Sequence, residues 1–199
     1  MANNFVNSFA SIVTAGENYQ STASTSDNHT GPQLVYEAKN IGGSGVNSIL
    51  VELDAANTGT SGITLTSFIR DNSTEETCTI ASSSDVATVT KSNHLLQTGM
   101  YVFISGSSTA FVNGVYKITR TGANTFTYAQ NSGAADGAAA GTIKFAKAYH
   151  IVKDVSIPAN STLKIIAGQK VVLNDNDKVY AYASAATCDI IAGVLQDVS

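Results

Sequence analysis

Apolar and polar residues alternate along most of this chain with a period of two, and helical spacing is almost absent. The runs "QLVYEAKN", "SILVELDA", "ITLTSFIRD", "AYHIVKDVSI", "KVVL", "KVYAYAS" and "CDIIAGVLQ" are short, rich in β-branched or aromatic residues, and bounded by turn residues. Successive side chains of a strand point to opposite faces, so this alternation predicts strands with one face buried. Between the first three runs, "IGGSGVN" and "ANTGTSG" hold the Gly and Asn that supply positive φ in tight reversals. Many short strands at this spacing predict an all-β fold, an antiparallel sandwich or barrel.

One stretch has a different character. From Cys78 to Phe145 the expected strands are "DVATVT", "MYVFIS", "GVYKIT", "TFTY" and "TIKF", joined by the turns "SGSS", "VNG" and "TGAN". The link "GAADGAAAG" has little that can pack. This segment is expected to be a small β-module, a barrel or sheet, inserted into the other domain at an exposed loop. The organisation is then 1–77 for the first part of an outer sandwich, 78–145 for the insert, and 146–199 for the second part.

Composition narrows the function classes. Only 13% of the 199 residues are charged and 43% are hydrophobic, whereas average soluble domains carry roughly 25% charged residues. That balance suits a sheet protein with a neutral polar surface. The formal net charge is −4, and the 11 Lys and Arg are scattered singly, Lys144 and Lys147 being the nearest to a pair. A nucleic-acid footprint needs a basic patch, so none is expected. No run approaches 18 consecutive apolar residues, so no transmembrane helix is expected. "MANNFVNSFASIVTAGENYQ" lacks the basic start and apolar core of a secretion signal, so synthesis in a cytoplasm is expected. The sequons at Asn28, Asn72 and Asn160 then carry no glycan.

The chemistry-bearing residues are dispersed. His29, His94 and His150 are isolated, and Cys78 and Cys188 fit no zinc spacing, so no metal is expected and the cysteines are read as buried thiols. None of the nucleophile-elbow, zincin, Walker or dinucleotide motifs occurs. "GGSG" at 42–45 lacks the lysine and helix of a phosphate loop and is read as a turn. Glu75 and Glu76 are adjacent, so on a strand they point to opposite faces. Asp175 and Asp177 could share a face, but a calcium loop counted from Asp175 would need Gly and Glu where Tyr180 and Ala186 stand. "NDND" (174–177) is therefore read as a strand corner, with Asp177 ordering the turn.

Two patterns resemble known proteins. "VSIPANSTLKIIAGQKVVLNDNDKVYAYASAATCDIIAGVLQ" is similar to a recurring ending of small virion structural proteins of tailed bacteriophages. It carries the turn Ile157-Pro158-Ala159-Asn160, the strand Leu163 to Ile166, then Leu173, Asp177 and Val179, and the last strand Ile190 to Leu195. "SILVELDAANTGTSGITLTSFIRDNS" resembles the paired strands that precede it. The insert is similar to a small β-module of phage structural and tail proteins, through Ala87 to Thr90, His94 to Leu96, Thr98 to Gly106, Asn113 to Ile118 and Thr125 to Tyr128. His94-Leu95 stands where that module usually has His-Gly, so this loop departs from the pattern.

The resemblance implies a jelly-roll-like antiparallel β-sandwich with the inserted module, and a virion location. It implies a virion structural protein with no catalytic residues to carry over, and no position in the particle. The lack of a reactive constellation, the low charge and the candidate docking arm favour a non-enzymatic role, decorating or cementing a capsid by self-association. The alternatives are a neck, collar or tail accessory role, or glycan or receptor binding through the insert. No catalytic residue and no cofactor are expected. The partners expected are itself, as a dimer or trimer, other virion proteins such as the major capsid, neck or tail proteins, and a host glycan in the receptor-binding case. No nucleic acid or membrane is expected as a partner. Phe5, Phe9, Ile12 and Val13 are the candidate docking arm, the alternative being a first strand packed on its own core. Tyr101, Phe103, Tyr116, Phe126 and Tyr128 are the candidate sugar-stacking surface, the alternative being the module's own core.

Overall fold

The computed structural model describes residues 4–12, 31–39, 47–109, 111–130 and 135–198. Val13, Asn28, His29 and the turn at 42–45 lie outside them. Among the described residues no α-helix occurs; about two thirds lie in strands, and the one helical element is a 3-10 turn, Asn72–Thr74. The all-β, antiparallel sandwich reading holds. The described residues form two compact units, one of 4–12, 33–39, 47–72 and 150–198, the other of 31–32, 73–109, 111–130 and 135–149.

The strands of the first unit are β1 (Asn4–Ile12), β2 (Gln33–Glu37), β3 (Asn47–Asn57), β4 (Ile63–Arg70), the last part of β13 (Gly141–Ile157), β14 (Ser161–Leu173), β15 (Lys178–Ala183) and β16 (Cys188–Val198). One sheet has the order β1-β16-β3-β14, and the second the order β2-β15-β4-β13. The chain is thus doubled back on itself. First pairs with last (β1·β16), second with next to last (β2·β15), third with third from last (β3·β14), and β4 with β13. Successive pairs alternate between the sheets, which is the wiring of an eight-stranded jelly roll.

Alternation explains why the two sheets meet. Leu50, Leu53, Ala55, Ile190, Ala192 and Val194 face inward from the first sheet, and Val35, Leu65, Val179, Ala181 and Ile157 from the second; all are buried in one cluster. At one end Asn57, itself buried, ties three turns together. Its Nδ2 donates to the carbonyls of Ser61 (2.8 Å), Pro158 (3.0 Å) and Ile157 (3.2 Å). Its Oδ1 accepts from the Gly59 amide (3.0 Å) and the Thr187 hydroxyl (3.2 Å). The Pro158-Ala159-Asn160 reversal has Asn160 at φ 53°, a left-handed conformation that Asn tolerates.

The second unit interrupts the roll between β4 and β13. Its strands are β5 (Glu76–Thr77), β6 (Thr79–Ser83), β7 (Val86–Thr90), β8 (Tyr101–Ser107), β9 (Gly114–Lys117), β10 (Thr119–Arg120), β11 (Thr125–Ala129), β12 (Gly137–Ala138) and the first part of β13. β10-β11-β7-β6-β12 form a five-stranded sheet, while β8 pairs both β9 and β13, and β5 pairs β13. Ile80, Val89, Leu96, Val102, Ile104, Ile118, Phe126 and Phe145 close a core of its own. Where β8 meets β13, Gly141 pairs with Ser107 and the register shifts before Lys144; Gly106 and Gly141, at φ 82° and 111°, flank this irregularity. A Cβ on Gly106 would lie 2.1 Å from the Thr142 carbonyl oxygen, and one on Gly141 2.3 Å from that of Gly106. Only glycine fits there.

Candidate interaction surface

The outer face of the first sheet departs from the polar pattern expected of a solvated face. In β1, "NFVNSFASI", the even positions Val6, Ser8, Ala10 and Ile12 turn inward and the odd positions Phe5, Asn7, Phe9 and Ser11 outward. Phe5 and Phe9 are each 70% exposed. Strand register carries this stripe across the sheet. Phe5 stands beside Leu195, Leu195 beside Ile49, and Ile49 beside Val172, which is 57% exposed. Two rungs along, Phe9 stands beside Ile191, itself 44% exposed. Exposed large apolar groups gathered on one face mark contact surfaces, whereas isolated ones need no explanation.

The charged side chains of this face are Asp189 at the Ser11 end of β16 and a group on β3 and β14. Lys164 of β14 reaches Asp54 (3.3 Å) and Glu52 (3.5 Å) of β3. These carboxylates, Asp54 first, hold the Lys164 ammonium above its ordinary value. Ser11 donates to Asp189 at 2.6 Å, so the polar end of β1 is already engaged.

The candidate docking arm is divided by this geometry. Phe5 and Phe9 lie on the exposed face, Ile12 is buried in the core at 1% exposure, and Val13 lies outside the described residues. β1 pairs along all nine residues with β16, so these groups sit on a strand of the roll and are not a free arm. The physical reason is parity: Phe5 and Phe9 are an even number of residues apart, and Ile12 is not in step with them.

The candidate stacking aromatics are a correction. Phe103, Tyr116, Phe126 and Tyr128 are buried, and Tyr101 is half-buried. Tyr116 and Tyr128 stack on each other with ring centroids 4.1 Å apart, and Phe126 meets Phe145 edge-on at 5.4 Å. The Tyr116 hydroxyl donates to the Phe111 carbonyl (2.8 Å) and the Tyr128 hydroxyl to that of Val112 (3.1 Å). Burial first, then the neighbouring Tyr116 and Cys78, push the Tyr128 phenol well above its usual range. Tyr116, Phe126 and Tyr128 are part of the module's own core, and Phe103 is buried outside that cluster; none of the four offers a face to a sugar, and Tyr101 alone is half-buried.

The remaining polar residues hold the fold. His94 is buried; its Nδ1 accepts from the Leu96 amide (3.0 Å) and its Nε2 faces the carbonyls of Gly122 (3.2 Å) and Thr125 (3.3 Å). His150 packs near Phe68, ring centroids 6.1 Å apart. Burial, then Lys153, lowers its pKa, and Asp154 opposes. Glu75 pairs with Lys144 and Glu76 with Lys91, each at 2.6 Å. The "NDND" corner is built around Asp177, which is 4% exposed. Its two carboxylate oxygens accept from the Asn72 and Asn174 amides, both at 2.8 Å. Arg70 is buried close by; burial lowers its pKa, while Tyr180, Asp177, Glu37 and Asp71 pull it back. Among the described residues, no three His, Cys, Asp or Glu side chains are grouped to hold a metal, and no helix is long and apolar enough to cross a membrane.

No family model matches this chain, and no curated protein does. Among solved structures it is similar to a phage phi92 endosialidase, at 19% identity and a TM-score of 0.32, over 50% of this chain and 14% of that one. The chain therefore spans about one seventh of that protein's length, and a likeness at this level carries no argument about function.

Proposed function

We propose that this chain is a non-enzymatic structural component of a phage particle, decorating or cementing its shell through contacts with copies of itself and with neighbouring subunits. The observation that carries the reading is the apolar band on the outer face of the first sheet, with Phe5, Phe9, Val172 and Ile191 exposed and in register. A monomer gains nothing from exposing two phenylalanines on a regular strand, while a subunit gains an anchor. The tie to a phage particle is the motif resemblance in the C-terminal strands and in the insert.

The test is to quantify this chain by mass spectrometry in purified particles and to locate it by labelled electron microscopy. Copy number comparable to the shell protein supports decoration. A few copies at one vertex move the assignment to a neck, collar or tail accessory role. Absence from the particles overturns the proposal, and glycan binding lost on deleting 73–149 would replace it with receptor recognition.

A further inference from the structure

The strands that end the first unit's sheets are not alike. β14 is interrupted by register shifts between Lys164 and Ile166 and between Ala167 and Val171, and it carries Lys164, Lys170 and Gly168 at φ 82°. β2 is five residues long and shifts register against β15. The first-unit part of β13 carries Lys153 and Asp154, with Asp154 at φ 53°. Bulges, lysines and short length are the devices that keep a strand edge from pairing with another chain. β1 has none of them: nine residues, no charge, no proline, no glycine, and unbroken register with β16. It is also held in place, since the Ser8 hydroxyl donates to the Val35 carbonyl of β2 at 2.6 Å.

We infer that β1 pairs antiparallel with β1 of a second copy across a two-fold axis at Asn7. This rests on the reading of the chain as a self-associating structural protein, and names the contact. An antiparallel strand is complementary to itself, so one edge supplies both ladders. The register follows from the outward side chains. Centring on Asn7 sets Phe5 opposite Phe9 of the second copy, twice, and aromatic cross-strand pairs are favourable. Centring on Ser8 would set Phe9 opposite Asn7. β1 itself carries no charge; Asp189 of β16 is bonded to Ser11 at one end of the strand, and Glu52 and Asp54 lie on β3, two strands from the edge. Four phenylalanines at 70% exposure supply roughly 500 Å² of buried area. With two strand edges added this stays below the roughly 1,200 Å² of a standard stable interface. The pairing is therefore concentration-dependent, suited to copies held close together on a surface.

Residues facing across such a pair have Cα atoms about 4.5–5.5 Å apart, within disulfide range. Asn7→Cys should therefore form a disulfide-linked dimer under mild oxidation, at least tenfold faster than Gln169→Cys on the β14 edge or the unmodified chain. Adding Phe5→Lys and Phe9→Lys should remove that advantage while the urea midpoint stays within experimental error, since both side chains are exposed. Equal cross-linking at positions 7 and 169, or cross-linking at position 7 that survives the lysines, overturns the inference. Cross-linking without incorporation into particles would sink the proposed function and leave the contact standing. Incorporation without cross-linking would do the reverse.

Discussion

The carboxylate of Asp177 accepts a hydrogen bond from the backbone amide of Asn72 at 2.8 Å, joining the corner before β15 to the point where the chain leaves the roll after β4. Its other oxygen closes the corner itself through Asn174. Asp177→Ala should cost about 2–4 kcal/mol, because it removes two bonds to a buried, charged acceptor, from the half-buried Asn72 and the exposed Asn174. Asp175 is exposed and accepts from the adjacent Asn176 side chain at 2.9 Å, so Asp175→Ala should change stability by less than about 0.5 kcal/mol. Urea unfolding of the two variants tests the contrast, and added calcium should rescue neither.

Asn57 predicts a second large loss at the opposite kind of site, an amide shared among three turns. Asn57→Ala should destabilise by about 2–4 kcal/mol, because the carbonyls and amide it satisfies lie at or near the buried end of the roll. Asn57→Asp should not rescue it, since a carboxylate cannot donate to the Ser61 and Pro158 carbonyls. Thermal melts of both variants decide the point.

Gly106→Ala should cost about 3 kcal/mol or more, through a Cβ placed 2.1 Å from the Thr142 carbonyl oxygen at positive φ. Gly137 also has positive φ, at 112°, but nothing lies within 4 Å of its added Cβ. Gly137→Ala should therefore cost only about 1 kcal/mol of backbone strain. Hydrogen exchange across β8 and β13 should report the difference, with Gly106→Ala losing protection in the second unit.

Alkaline pH should weaken the fold. Burial pushes the Cys78 thiol from its ordinary 9.0 up to about 12, and Cys188 to about 11. Above pH 9 the unfolded chain releases these protons while the folded chain keeps them, so stability falls as pH rises from there toward the folded values. Both thiols should also resist iodoacetamide at neutral pH until the chain is unfolded. Urea midpoints between pH 8 and 10.5 should decline, and Cys78→Ser should make that decline shallower.

Most of the strands and their turns were legible because period-two alternation and turn residues are local properties of the sequence. The short β5, β6 and β12 were not among the runs, and "TIKF" and "AYHIVKDVSI" proved to be one strand, β13. The faces were less legible. Treating Phe5, Phe9, Ile12 and Val13 as one group missed a signal that was present, the odd spacing that puts Ile12 on the opposite side of the strand from Phe9. Tyr116 and Tyr128 could be read either way, since their alternation shows that they share a face and not whether it is covered. Covering depends on which strands pair at long range, as with Val112, whose carbonyl takes the Tyr128 hydroxyl. The apolar row from Phe5 to Val172 joins four strands far apart in the chain, so no window of sequence contains it.

The doubled-back wiring of the roll has a consequence for how it forms. β4 and β13 are partners, yet the segment 73–149 lies between them, which makes their closure the most expensive innermost step of the fold if that segment is a loose coil. The second unit removes this cost itself. Its β5 pairs with β13 through Thr77 with Lys144 and Glu76 with Phe145, so its two ends meet once it has folded. A self-contained module with adjoining ends behaves as a short turn. Its early folding would set the seed from which β4 and β13, and then the outer pairs, zip in succession toward β1 and β16.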